Sequence, residues 1–262
     1  MNSILIAVII VSAIGFIAGL GLSIASIVMA VKTDEKVEQL RAELPGANCG
    51  ACGYSGCDGY AEALAKGEAK PGACAPGGPE MNAKLGEILG VSVEMSEPMV
   101  ATVKCNGTCD HVENKMHYTG VSTCKAANMM YGGTSACSFG CLGFGDCQAA
   151  CQYGAIEVIN GKACVHPEKC TACTACAKAC PKSIIEMMPK EKAYAKVVCS
   201  NKDKGAVARK VCEVACIGCG KCAKLCPSEA ITVENFLGRI DPEKCTACGK
   251  CVEACPQKCI VL

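Results

Sequence analysis

The sequence is poor in the large side chains on which most chains of this length build a core. Its 262 residues include no tryptophan, four phenylalanines and six tyrosines, so aromatic residues make up only 4%. Lysine and arginine (26) almost balance aspartate and glutamate (25), and no basic block occurs. This balance excludes a typical nucleic-acid-binding surface. The scarcity of large side chains predicts that bound metal contributes much of the stability.

Motifs for nucleotide chemistry are missing as well. The sequence contains no Walker motif, and no G-x-G-x-x-G lies between a predicted strand and a predicted helix. No convincing pair of nucleophile and base is present either. We therefore predict no catalytic residue in this chain, and no site for NAD or flavin.

Cysteine, in contrast, is abundant, with 27 residues. A share this high is usual in small, secreted, disulfide-bonded proteins. Here the total is odd and the thiols recur at ligand spacings, which indicates metal binding. Because such thiolate sites persist where thiols stay reduced, we expect the soluble part of the chain to face the cytoplasm.

The amino-terminal stretch from Ile4 to Val31 contains 28 residues without a charge. This is longer than the roughly 20 residues that cross a hydrocarbon core. The residues before it carry no positive charge, unlike a secretory signal, so we predict a single uncleaved transmembrane helix. Lys32, Lys36 and Arg41 follow the helix and favour a cytoplasmic carboxyl side, with the amino end outside.

A first group of thiols follows in "PGANCGACGYSGC" and "CAPGG". These cysteines are Cys49, Cys52, Cys57 and Cys74. Neighbouring glycines let backbone N–H groups approach a negatively charged cluster. A structural zinc site is the alternative. The iron–sulfur motifs further along the chain favour a [4Fe–4S] cluster.

Three later stretches match the bacterial ferredoxin run C-x2-C-x2-C-x3-C-P, whose fourth cysteine ligates the other cluster of a pair. The matching cysteines are Cys170, Cys173, Cys176 and Cys180; Cys216, Cys219, Cys222 and Cys226; and Cys245, Cys248, Cys251 and Cys255. A shift of 75 residues places Cys170 on Cys245 without a gap. The repeat predicts two tandem two-cluster modules.

The first run of the earlier module is incomplete. It keeps Cys141, Cys147 and Cys151, but Phe144 stands opposite Cys219 of the later module. Either this cluster is [3Fe–4S], or another thiol replaces the missing one. Cys137 lies four residues before Cys141, and we predict that it is the replacement.

Seven cysteines remain after these five clusters. They are Cys105, Cys109, Cys124, Cys164, Cys199, Cys212 and Cys259. The segments "VATVKC" and "YAKVVC" resemble each other as strands that end in a thiol. A sixth cluster from Cys105, Cys124, Cys199 and Cys212 is one interpretation, and free buried thiols are the other.

The predicted fold class is α+β. The predicted segments are a transmembrane anchor (1–32), a four-cysteine [4Fe–4S] domain (33–95), a connector with extra candidate ligands (96–135), ferredoxin-like module 1 (136–188), a linker (189–211) and ferredoxin-like module 2 (212–262). Five [4Fe–4S] clusters are predicted, with the sixth left open.

Over its whole length the chain resembles the B subunit of the Rnf complex, a membrane-bound, ion-translocating ferredoxin:NAD oxidoreductase. The "CGACGYSGC" to "CAPGG" segment after a membrane helix is the specific part of this resemblance. The shortest family members have one two-cluster module, whereas this chain has two, as in a clostridial-like long form.

The resemblance implies an electron-transfer subunit in a bacterial cell membrane. It implies electrons from reduced soluble ferredoxin, relay through several clusters, and partner membrane and peripheral subunits that reduce NAD and pump sodium ions or protons. A membrane-tethered polyferredoxin that serves another oxidoreductase or a corrinoid-protein system is the alternative. A redox sensor would need an effector domain, which the sequence does not suggest.

Overall fold

The computed structural model describes residues 3–28, 34–93, 97–190, 192 and 194–262. The last residues of the predicted membrane run (29–31), the flanking Lys32 and the predicted boundary at 95–96 lie outside the described residues. The described part contains both helices and short strands, so the expected mixture of helix and strand is confirmed.

Helix α1 (Ser3–Val28) is a single uninterrupted apolar helix. Its stretch from Val8 to Ser26 has a mean hydropathy of 2.4, and none of it is buried against the rest of the protein. A helix satisfies all its backbone hydrogen bonds internally, which a segment inside lipid requires. Helix α1 is therefore long and apolar enough to cross a membrane.

A small helical domain comes next. Its helices are α2 (Glu35–Glu43), α3 (Cys57–Ala65) and α4 (Gly78–Leu89). The Asp34 carboxylate caps α2 by accepting from the Lys36 N–H, and Gly90 ends α4 in the left-handed conformation. The three helices bury a common core made of Leu40, Leu44, Tyr60, Leu64, Met81 and Leu85.

The segment corresponding to the earlier repeat contains two antiparallel strand pairs. Strand β1 (Met99–Val103) pairs with β4 (Ile185–Pro189), and β2 (Ile156–Ile159) forms a hairpin with β3 (Lys162–Val165). Its helices are α5 (Cys124–Met129), α6 (Asp146–Ala149) and α7 (Ala175–Ala179).

The later repeat has the same arrangement. Strand β5 (Lys196–Val197) pairs with β8 (Ile260–Val261), and β6 (Ile231–Glu234) forms a hairpin with β7 (Leu237–Ile240). Its helices are α8 (Gly205–Val211), α9 (Lys221–Lys224) and α10 (Lys250–Ala254). Two-stranded sheets are marginally stable by themselves, so packing around the cysteines must supply much of the stability.

Candidate metal centres

All 27 cysteines are free thiols, and most of them lie in groups of four. Among the described residues, no three His, Cys, Asp or Glu side chains converge closely enough to hold a single metal ion. The thiols of several groups instead line small cavities. Thiols arranged around a cavity suit a polynuclear cluster better than a tetrahedral zinc ion, whose ligands lie about 2.3 Å from the metal.

Set 1 lies in the helical domain and consists of Cys49, Cys52, Cys57 and Cys74. Burial raises the pKa of Cys74, and the other three thiols, as neighbouring negative charges, raise it further. The Cys57 N–H donates to Asn48 Oδ1 at 2.8 Å, which ties the start of α3 to the cysteine loop. The predicted four-cysteine group is therefore one spatial cluster.

Four loops in the two modules share an unusual backbone. In each loop, the second and fourth residues after the first cysteine have positive φ angles. These pairs are Gly143 and Gly145, Ala172 and Thr174, Gly218 and Gly220, and Ala247 and Gly249. Such turns direct successive N–H groups toward one concave side, where they stabilise an anion. The loop that contains Phe144 keeps this conformation although it has lost its thiol.

In three groups the fourth thiol comes from the neighbouring cysteine run. Set 3 consists of Cys151, Cys170, Cys173 and Cys176; set 4 of Cys216, Cys219, Cys222 and Cys255; and set 5 of Cys226, Cys245, Cys248 and Cys251. Burial raises the pKa of Cys176 and of Cys222 to about 11, and the other thiols of each set add to the shift. This geometry is the exchange of ligands found in two-cluster ferredoxins.

Set 2 is the group around the incomplete run. Cys141, Cys147 and Cys180 line one cavity together with Cys124, the first residue of α5. Burial raises the pKa of Cys147 to about 12, and Cys141, Cys124 and Cys180 raise it further. Cys137, which the sequence suggested as the replacement, does not line this cavity. The structure places Cys124 there instead.

Asp146 holds Cys124 in position. Its two carboxylate oxygens accept from the backbone N–H groups of Cys124 and Lys125 at 2.8 and 2.9 Å. The Thr123 hydroxyl caps the same helix by accepting from the Ala126 N–H. The repeat places Lys221 at the position of Asp146. An acidic residue two positions after Phe144 is therefore the feature of the sequence that could have indicated Cys124.

Cys137 lies in a different group from the one that the sequence suggested. It faces a cavity between the modules that it shares with Cys105, Cys199 and Cys212. The tentative sixth group from the sequence contained Cys124 in place of Cys137. In the structure, Cys124 therefore lies in the group expected for Cys137, and Cys137 lies in the group expected for Cys124.

Three cysteines lie outside the six groups. Cys109 is exposed, Cys164 is half-buried and Cys259 is only 2% exposed. The Cys259 Sγ lies 3.6 Å from the Cys255 Sγ. Hydrogen bonds with Cys216 and Cys255, together with burial, raise the pKa of Cys259, so it is a protonated neighbour of set 4.

Burial has the same consequence for one thiol in each of sets 1 to 4. It raises the pKa of Cys74, Cys147, Cys176 and Cys222, so they keep their protons at neutral pH when no metal is bound. Iron binds the thiolate form, and cluster insertion must therefore release protons.

Comparison with known protein families agrees with this geometry. The FeS family, a family of Fe-S cluster segments, matches residues 44–76, which hold set 1. The 4Fe-4S dicluster domain family matches residues 210–256, which hold sets 4 and 5. The two family matches thus support iron–sulfur clusters in the four-cysteine domain and in the later module.

Curated relatives match nearly the whole chain. The B subunit of the Na+-translocating ferredoxin:NAD+ oxidoreductase complex of Acetobacterium woodii is 46% identical over 93% of this chain and 73% of its own length. The B subunit of an ion-translocating oxidoreductase complex of Methanosarcina acetivorans is 41% identical over 93% of both chains. This chain belongs to the B-subunit family of Rnf-type ion-translocating oxidoreductases. A third member, from the proton-translocating complex of Clostridium ljungdahlii, is 38% identical over 92% of this chain and 85% of its own length.

Proposed function

We propose that this chain is the electron-relay subunit of a membrane-bound, ion-translocating oxidoreductase. It accepts single electrons from reduced ferredoxin and passes them to partner subunits that reduce NAD. Two of the relatives described above carry ferredoxin and NAD in their names. The observation that carries the proposal is the series of thiol groups with exchanged ferredoxin-type ligands, joined to an apolar amino-terminal helix.

Sets 1 to 5 are the proposed ligands of five [4Fe–4S] clusters. For set 2 the proposed ligands are Cys124, Cys141, Cys147 and Cys180, with Cys124 in place of the expected Cys137. Each set offers four thiols, so each iron of a cubane has one protein ligand. The clusters supply one-electron transfer, and the protein positions them and tunes their potentials through burial and hydrogen bonds to sulfur.

Contacts between the sets support a continuous route. The Lys178 Nζ donates to the Cys49 carbonyl at 3.2 Å, which joins α7 of the earlier module to the loop of set 1. Burial raises the pKa of Tyr153, and Cys173 of set 3 and Cys49 of set 1 raise it further, so this side chain lies near both sets. Within each module the exchanged cysteines connect the two clusters.

The amino-terminal helix anchors this relay to the membrane in the proposal. The soluble part of the chain faces the cytoplasm and the amino end lies outside, as the lysines and the arginine after the helix favour. Set 1 follows the helix in the chain, so it is the proposed exit toward membrane subunits. Set 5 lies at the other end of the series.

The test uses the full chain, purified anaerobically from its native membrane. We expect brown protein, iron and acid-labile sulfide in equal amounts, co-purifying partner subunits, and rapid bleaching of the cluster absorption by reduced ferredoxin. Deletion of residues 1–31 should give soluble protein that ferredoxin still reduces, because the clusters lie outside the bilayer. Ion transport by the reconstituted complex should be lost.

Three outcomes would contradict the proposal. Stoichiometric zinc with little sulfide would exclude the clusters, and a chain that ferredoxin cannot reduce would exclude the donor. Reduction by ferredoxin with no partner subunits in the native membrane would favour the tethered polyferredoxin instead.

A further inference from the structure

A cavity of about 520 Å³ lies between the two modules and is lined by five thiols that sets 1 to 5 do not use, of which one, Cys109, is exposed. The other four are Cys105, Cys137, Cys199 and Cys212, called here the inter-module set. Cys137, Cys199 and Cys212 are each less than 8% exposed. Although Cys137 precedes the first loop of the earlier module, it packs in the core of the later one with Cys199 and Cys212.

Two glycines and one asparagine show that these thiols surround a common space. A methyl group on Gly107 would lie 3.4 Å from Cys212 Sγ and 3.8 Å from Cys105 Sγ, and one on Gly140 would lie 3.6 Å from Cys137 Sγ and 3.7 Å from Cys105 Sγ. The buried Asn201 contacts the same group.

Asn201 contacts two thiols of the group. Its backbone N–H donates to Cys199 Sγ and its Nδ2 to Cys137 Sγ, both at 3.4 Å. Asn201 is 1% exposed, so these donors are desolvated and directed at sulfur. Amide donors that point at cysteine sulfur stabilise the negative charge of thiolates and of a bound cluster.

The inter-module set is built symmetrically from the two modules. Cys105 and Cys199 each follow the first strand of their module, β1 and β5. Each of these sulfurs accepts from the N–H of the first loop cysteine: Cys141 donates to Cys105 at 3.4 Å, and Cys216 donates to Cys199 at 3.2 Å. Cys137 and Cys212 each lie four residues before that loop cysteine. Each module thus supplies the same two thiols.

We propose that the inter-module set binds a sixth [4Fe–4S] cluster that connects the two modules. Its Cys105 contacts the loop of set 2 and its Cys199 contacts the loop of set 4, so electrons pass through six clusters in the order set 5, set 4, inter-module set, set 2, set 3, set 1. This proposal rests on the proposed relay function, since a bridge needs clusters on both sides.

The test compares full-length wild type with Cys137→Ala and Cys212→Ala, all prepared anaerobically. Alanine cannot bind iron, and the two cysteines come from different modules. Cys109→Ala is the matched control, because Cys109 lines the same cavity but is exposed and belongs to no set. Six cubanes predict about 24 irons and 24 sulfides per wild-type chain, and each ligand variant should lose about four of each. A new [3Fe–4S] signal with a loss of about one iron would also support the site.

Electron transfer gives a second measurement. In Cys137→Ala and Cys212→Ala, rapid reduction by ferredoxin should reach only the clusters on one side of the bridge, whereas the control should behave as wild type. A wild-type count of about 20 irons overturns the sixth cluster even if a variant folds poorly. Unchanged iron in both ligand variants would overturn it as well.

The outcomes also separate this proposal from the proposed function. If wild type contains about 20 irons and ferredoxin still reduces it, only the sixth cluster is refuted. If wild type contains about 24 irons but ferredoxin cannot reduce it, ferredoxin is refuted as the electron donor, and the sixth cluster is still supported.

Discussion

The two ferredoxin-like modules have the same strand pairs and the same loop conformation, but they complete their first cluster site differently. In the later module Cys219 lies within the loop, followed by Lys221. In the earlier module Phe144 and Asp146 occupy these positions, and Cys124 enters from α5. The Phe144 ring packs edge-to-face on Tyr118, with centroids 5.7 Å apart. Phe144 thus lines the cavity between the modules together with Tyr118, and does not line the cavity of set 2.

The insertion in the earlier module explains how this substitution is accommodated. Cys105 and Cys137 are 32 residues apart, whereas the equivalent Cys199 and Cys212 are 13 apart. The longer segment contains α5, and Lys182 donates to the carbonyl oxygen of Gly132 within it and to that of Ser138 just after it, both at 2.6 Å. A thiol within a loop is thereby replaced by a thiol on a separate helix, which requires more residues to position.

The largest expected effect is loss of the set 2 cluster in Cys124→Ala. Three thiols remain, so we expect either a loss of about four irons or conversion to a three-iron cluster. Phe144→Cys in the same chain should restore the cubane, because the loop already has the conformation that Cys219 adopts in the later module. Iron analysis and EPR of the oxidised protein measure both effects.

Cys219→Ala is the matched control for this experiment, since it removes the equivalent ligand of set 4. If Cys124→Ala keeps a complete set 2 cluster and Cys137→Ala loses it, the assignment from the structure is wrong and the assignment from the sequence is right.

A smaller effect is expected for Asp146→Ala. This variant removes both acceptors at the start of α5 while leaving every thiol in place. Loss of a helix cap costs about 1 kcal/mol, so the set 2 cluster should be lost earlier in urea than in wild type. Lys221→Ala is the control in the later module. An equal shift for the two variants would refute a positioning role for Asp146.

Cys259 offers a test of how the modules tune their clusters. The repeat places Ile184 of the earlier module at this position, and each side chain lines the cavity of its own set. Cys259→Val should lower the potential of the set 4 cluster, because a hydrogen bond to sulfur favours the more negative reduced state. One weak hydrogen bond of about 0.5–1 kcal/mol corresponds to about 20–40 mV.

An anaerobic redox titration followed by EPR measures this shift. Ile184→Cys is the reverse exchange and should raise the potential of the set 2 cluster. If both variants leave the potentials unchanged, the Cys259 thiol has no electronic role and only fills space.

The smallest expected effect concerns the loop backbone. Thr174 has φ +63°, where Gly249 stands in the later module at φ +74°. A β-branched residue in this region is strained by about 1 kcal/mol. Thr174→Gly should therefore raise the midpoint of anaerobic urea unfolding slightly, and Gly249→Thr should lower it by more. A loss of stability in Thr174→Gly would show that the threonine side chain outweighs the strain.

The sequence alone determined several properties of this protein. The uncharged amino-terminal run, the cysteine spacings and the 75-residue repeat led to the family and to the iron–sulfur chemistry. These features are local in the chain, or repeat along it, because a C-x2-C-x2-C loop places its three thiols through its own backbone. The assignment of each thiol to a cluster remains a prediction until iron is measured.

Only the tertiary structure decided the surroundings of Cys124 and Cys137. Sequence proximity favoured Cys137, which lies four residues from Cys141, over Cys124, which lies 17 residues away. The chain near Cys137 instead turns into the core of the later module, while α5 is capped by Asp146 against the loop of set 2. Contacts between distant segments depend on how helices and strands pack, and a spacing pattern does not contain that information. For the same reason, only the tertiary structure shows that the four thiols of the inter-module set lie together as one group.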